Sequence, residues 1–138
     1  MSSEFKSYSS EELEKLIKTY PLSREGCDNI FNNIIGFEFR RKVAGKGMLF
    51  QTKDGKFHIV VCNGDPIDEQ KKTVIHEFLH IKYKAKGSEY VERNTLKEEI
   101  EAGVERKSIE DLLETETERI YNNHPDLAEY VFERAKSF

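Results

Sequence analysis

His76 and His80 stand four residues apart in the run HEFLH, with Glu77 between them. On a helix, side chains at i and i+4 lie one turn apart on the same face, so both imidazoles can reach one metal ion. Glu77 sits about 100° further round, which sets its carboxylate beside such an ion rather than on it. Zinc held in this way acidifies a bound water and polarises a carbonyl, and a neighbouring carboxylate can take the water's proton. The expected chemistry is hydrolysis, with Zn2+ as cofactor, His76 and His80 as ligands and Glu77 as general base. Two hydrogen-bonded structural histidines are the alternative.

A catalytic zinc takes three protein ligands and keeps one position open. A third histidine close behind the motif is absent, because position 86 is Lys, and the Gly and His of the metzincin pattern are absent too. A carboxylate on a later helix, or His124, must then complete the site. From Ser108 to Tyr121 the residues Ile109, Leu112, Leu113 and Ile120 define one apolar face. Glu116 falls in the middle of it, whereas Glu114 and Glu118 lie off it. A carboxylate on an apolar face needs a cation beside it, so Glu116 is the expected third ligand. A Lys or Arg at the edge of the core could serve Glu116 equally well. Glu99, which flanks the face of Leu96, Ile100 and Val104, and His124 stay open as candidates.

The elements that must hold these residues can be read from the pattern of apolar positions. Ser9 and Glu12 fit a capping box for a helix to Tyr20, with Leu13, Leu16, Ile17 and Tyr20 on one stripe and Pro21 after it. A second helix is expected from Ser23 to Ile35, stopped by Gly36. Phe37 and Phe39 alternate with charges, as in a strand. Met48 to Thr52, the Asp54-Gly55 turn and Phe57 to Cys62 form a hairpin pattern. Asp68 can cap the motif helix, expected from Glu69 to about Lys84. Beyond a Gly-containing loop the chain reads as helical, with Thr95 and Glu98 as a further capping box. The stripes before and after Ser108 point in nearly opposite directions, which predicts either a break there or a helix buried on both sides. His124-Pro125 separates off a last helix. The fold class is α+β: a small, mostly antiparallel sheet with packed helices, expected as one domain over 1–138 with N-terminal helices in 1–35 and a C-terminal helix in 125–138.

The chain has 138 residues and a formal net charge of −4, so it lacks the basic footprint that nucleic-acid binding requires. No stretch has the apolar length of a membrane span, and the first residues lack the basic-then-apolar pattern of a secretory leader. Two cysteines do not make a disulfide framework. The expectation is a cytoplasmic protein with neither nucleic acid nor membrane as a partner. Cys27 reads as a buried thiol and His58 as a surface residue of the sheet. Tyr83, Tyr90, Tyr121 and His124 are candidates for stabilising an oxyanion.

The run KFHIVVCNGDPIDEQKKTVIHEFLH resembles the compact HExxH peptidases of the gluzincin group. It is similar to the small minigluzincins and to the repressor-cleaving ImmA/IrrE type, over about residues 56 to 121. SprT-type enzymes share the motif and an IKY-like continuation, but their later His is missing. The resemblance implies a zinc metallopeptidase acting on a peptide or protein substrate, with a Glu on a following helix as third ligand. Glu99 has the spacing after His80 that is typical of thermolysin-like enzymes, and no clean match to the later Glu-containing signature of the ImmA/IrrE type is seen. The resemblance also implies that Phe57 to Cys62 is an edge strand, with Ile59, Val60 and Val61 pairing with the substrate. It allows latency, with a terminal segment over the cleft. A regulatory zinc-binding domain that turns over little is the competing expectation.

Overall fold

The computed structural model describes residues 5, 6, 8–41, 43, 46–85 and 96–138, the side chains of 96–107 excepted. Helix α1 (Ser10–Thr19) starts at the expected box: Ser9 Oγ accepts from the Glu12 N–H and Glu12 Oε1 accepts from the Ser9 N–H, both at 3.2 Å. Leu13 and Ile17 are its buried positions, whereas Tyr20 points outward. Helix α2 (Arg24–Phe31) is capped by Ser23 and ends four residues before the expected last residue, Ile35. Ile34 and Ile35 open strand β1 (Ile34–Arg40) instead. Adjacent β-branched residues lose rotamers on a helix and suit a pleated strand, where one can point inward and the next outward. Ile34 is buried and Ile35 exposed, which is that alternation.

Strands β2 (Gly47–Gln51) and β3 (Phe57–Cys62) form the expected hairpin, with Gly55 at φ 81° in its turn. The three-stranded sheet has the order β1-β3-β2. β2 is antiparallel to β3, but β1 is parallel to it, so the sheet is mixed rather than mostly antiparallel. The α+β class stands. β3 is the central strand, which corrects its expected place at the edge. Its backbone pairs with neighbours on both sides, so Ile59, Val60 and Val61 have no free edge to offer a substrate strand. All three are almost completely buried. A continuous apolar run marks a strand covered on both faces, and here it signals the middle of the sheet.

Helix α3 (Ile67–Tyr83) carries the motif and is buried nearly all round by Val74, Ile75, Phe78, Leu79 and Ile81 together with polar Gln70, Thr73, Glu77 and His80. Pro66, not Asp68, is its N-cap. Gln70 Nε2 donates to the Asp65 carbonyl at 2.8 Å and ties the incoming loop to the first turn. Helix α4 (Leu96–Asn123) runs unbroken for 28 residues, so there is no break at Ser108. Ile109, Leu113 and Ile120 pack into the core as expected, whereas Leu112 is only partly buried. The expected Thr95 box, and the side chains of Leu96, Glu99, Ile100 and Val104, lie outside the described residues. Helix α5 (Pro125–Lys136) begins with its proline in the first turn and buries Ala128, Val131, Phe132 and Ala135.

β2 is pressed against the motif helix through a glycine. A Cβ on Gly47 would fall 2.5 Å from Thr73 Cγ2 and 2.9 Å from the Val60 carbonyl oxygen. Gly47→Ala is therefore expected to cost about 1–3 kcal/mol, the usual range for overpacking. Urea denaturation checks this, and a midpoint equal to that of the wild type would mean that β2 does not depend on this close approach.

Candidate metal centre

The two motif imidazoles meet on one side of α3, with ring centroids 4.8 Å apart and Nε2 atoms 3.2 Å apart. The carboxylate that joins them is Glu110, from α4. Its Oε2 lies 2.9 Å from His76 Nε2 and its Oε1 2.8 Å from His80 Nε2. One ligand atom from each of the three residues falls within 4.8 Å of the others, so the cluster could hold a metal ion. Ligands at about 2.0–2.1 Å around a tetrahedral ion are roughly 3.3 Å apart, close to the nitrogen separation here. The donor set of two imidazoles and one carboxylate suits a borderline cation such as zinc.

Each histidine has a partner on its other nitrogen. His80 Nδ1–H donates to the Ala85 carbonyl at 2.8 Å, which fixes the tautomer that leaves Nε2 facing the cluster. His76 Nδ1 lies 3.2 Å from Glu114 Oε2, although their alignment falls short of a hydrogen bond. Burial alone would depress both imidazoles. The Glu110 and Glu114 carboxylates outweigh it at His76 and push it up to about 10, while Glu110 and Glu77 raise His80. Burial opposes ionisation of Glu110, but the two histidines hold its carboxyl well below the usual range. The charges are thus complementary before any metal is present.

Glu77 is buried beside the histidines, and it is not a member of the three-residue cluster.

Glu116 does not reach the histidines, and the expectation that it completes the site is corrected. It is buried, but its two oxygens are taken by Arg119, with Nε to Oε1 and Nη2 to Oε2 both at 2.7 Å. The cation that a carboxylate on an apolar face requires is a guanidinium one turn further along the same helix. His124 lies 3.5 Å from Arg119 at the start of α5, away from the cluster. Glu99 lies outside the described side chains. Glu116→Gln is expected to leave metal binding at the wild-type level and to cost about 1–2 kcal/mol of stability, a modest value because Arg119 is partly exposed. Metal titration and thermal melting check this together, and a loss of metal would return Glu116 to the site.

The sequence carried a signal for Glu110 that the apolar wheel hides. Glu110, Glu114 and Glu118 recur every four residues on α4, and Lys72, His76 and His80 recur every four on α3. In the structure they face each other along the two helices: Glu110 against both histidines, Glu114 against His76, and Glu118 Oε1 at 3.1 Å from Lys72 Nζ. A basic row opposite an acidic row of the same period was the legible clue.

The expected oxyanion candidates are held elsewhere. Tyr83 donates its hydroxyl to the Tyr20 carbonyl at 2.7 Å. Tyr121 donates to Asp68 Oδ1 at 2.5 Å, two turns of α3 before His76. Tyr90 lies outside the described residues. Cys27 is fully buried, and burial pushes its thiol up to about 12, so it is inert, as expected. His58 is partly exposed on the sheet, with Nε2 3.1 Å from Glu38 Oε2.

No protein-family model matches the sequence, and no curated protein or solved structure matches it either. Among the described residues, no helix is long and apolar enough to cross a membrane.

Proposed function

We propose that the chain is a zinc-dependent peptidase, with His76, His80 and Glu110 as metal ligands and Glu77 as general base. The observation that carries this reading is the convergence of both motif imidazoles on one carboxylate of a following helix, with a second buried carboxylate, Glu77, beside them. The ligand set accords with the resemblance of the motif to the gluzincin group, which expects a Glu from a later helix. A metal held by these three residues would supply Lewis acidity toward water and the substrate carbonyl. Glu77 would accept the proton of the attacking water and pass it to the leaving amine. The Ala85 carbonyl keeps the His80 imidazole in orientation through its outer nitrogen, and the Glu114 carboxylate adds negative charge beside that of His76.

β2 is the strand on which an extended substrate would add. Among the described residues its strand partner is β3 alone, and it approaches the motif helix at Gly47, whereas β3 is paired on both sides. The competing reading is a domain that retains the metal and turns over little. Metal analysis and hydrolysis of a quenched-fluorescent peptide library by the zinc-loaded protein distinguish the two. About one zinc per chain with chelator-sensitive cleavage supports the peptidase. Stoichiometric zinc with no cleavage supports the regulatory domain, and no zinc removes both.

A further inference from the structure

The peptide group of Ala85 grips His80 twice. Its N–H donates to the His80 carbonyl at 3.2 Å, and its carbonyl accepts from His80 Nδ1–H at 2.8 Å. The first bond is the six-to-one link of a Schellman helix end, and the Lys84 N–H completes that end by donating to the Ile81 carbonyl at 3.3 Å. A helix end of this kind needs a left-handed residue at position 84. Lysine stands there with φ 51° and ψ 44°, in a conformation that glycine adopts freely and a side chain disfavours. The turn that orients His80 is therefore not one its own sequence favours, and it needs support from outside.

That support comes from the other end of the chain. The Lys6 N–H donates to the Lys84 carbonyl at 2.6 Å, and Lys6 pairs with Ala85 as an isolated parallel bridge. The Tyr8 hydroxyl donates to the Tyr83 carbonyl at 2.9 Å. Phe5 anchors the segment by packing its ring on Phe57 of the central strand, with centroids 6.0 Å apart. Three successive carbonyls are thus assigned in order: Tyr83 to Tyr8, Lys84 to Lys6, and Ala85 to His80.

We propose that Phe5, Lys6 and Tyr8 form a strap that positions His80 as a metal ligand, by fixing the 83–85 turn that presents the Ala85 carbonyl to His80 Nδ1. The inference rests on the metal-site reading above. An imidazole whose outer N–H is held by a fixed acceptor keeps its ring angle and its tautomer, and outer-shell partners of this kind typically change metal affinity by about 10–100-fold.

The test uses the full chain. Lys6→Pro deletes the N–H that reaches Lys84, and Lys6→Ala, which keeps that N–H, is the conservative rescue. The Lys6 side chain is exposed, so the pair isolates the backbone bond. Tyr8→Phe removes only the hydroxyl. Zinc affinity is read by competition with a chromophoric chelator, alongside thermal melting of the metal-free protein and water exchange of the His80 Nδ1–H resonance in the zinc-loaded protein. The expected result is zinc binding weakened about 10–100-fold in Lys6→Pro, shifted in the same direction in Tyr8→Phe, and unchanged in Lys6→Ala. The His80 Nδ1–H should exchange faster in the first two, a change that a general loss of stability in a still-folded protein would not place at one ring nitrogen. Wild-type affinity in both variants overturns the strap while leaving the metal site intact. If Lys6→Pro does not fold, Tyr8→Phe decides alone. Failure of the wild-type chain to bind zinc overturns the metal-site reading, and the strap with it.

Discussion

Glu77→Gln is expected to retain one zinc per chain and to lose about 10²–10⁴-fold in kcat, the range that a positioned general base contributes. The substitution keeps the shape of a residue that is buried in the wall of α3, so no cavity opens. It removes the carboxylate's ability to take a proton and leaves the three-residue cluster untouched, since Glu77 is not one of its members. The loss should therefore fall on kcat rather than on metal content, and KM should move little. Zinc analysis and steady-state kinetics on the same preparation separate the outcomes. Loss of zinc would make Glu77 a ligand, and unchanged kcat would remove it from the chemistry.

Glu110→Ala should abolish stoichiometric zinc, as His80→Ala should. The loss should exceed the roughly 10–100-fold that removal of an outer-shell partner costs. Glu110 is the only described carboxylate within ligand distance of both imidazoles, so its removal leaves the two histidines without the anionic member of the cluster. The contrast with Glu116 makes this test sharp. Both carboxylates sit on α4 and both are largely buried, yet one faces two imidazoles and the other a guanidinium. Zinc retained at full stoichiometry in Glu110→Ala would refute the ligand set.

The motif, its helix and the hairpin were legible in the sequence because each rests on local rules: i to i+4 spacing, a capping box and an Asp-Gly turn. The Glu116 expectation failed for a physical reason that is also local. An apolar wheel identifies which face enters the core, but not which neighbour that face meets. Glu116 did turn inward, and Arg119, three residues on, satisfied it first. Glu110 lies one position beyond Ile109, about 100° round, on the flank that α4 turns toward α3. No rule confined to one helix distinguishes that flank from solvent. The place of β3 failed similarly: a run of buried β-branched residues is compatible with an edge or a centre until its neighbours are known, and the first two residues of the parallel partner β1, Ile34 and Ile35, read as the end of a helix.

The facing rows on α3 and α4 have the same period, and this makes their alignment degenerate as far as charge is concerned. Sliding α4 by one turn would carry Glu114 into the place of Glu110 and Glu118 into that of Glu114, with carboxylates still opposite histidines. The charged rungs alone therefore cannot choose between registers. The apolar row next to them can. Ile109, Leu113 and Ile120 are nearly or fully buried, and Thr117 sits between the last two with its hydroxyl turned back to the Leu113 carbonyl at 2.8 Å. Displacement by four residues would put that threonine where a leucine now fills the core. The Tyr121 hydroxyl would also leave Asp68. The choice of which glutamate meets the two histidines is thus made by the irregular apolar row that flanks the charged one on the same helix.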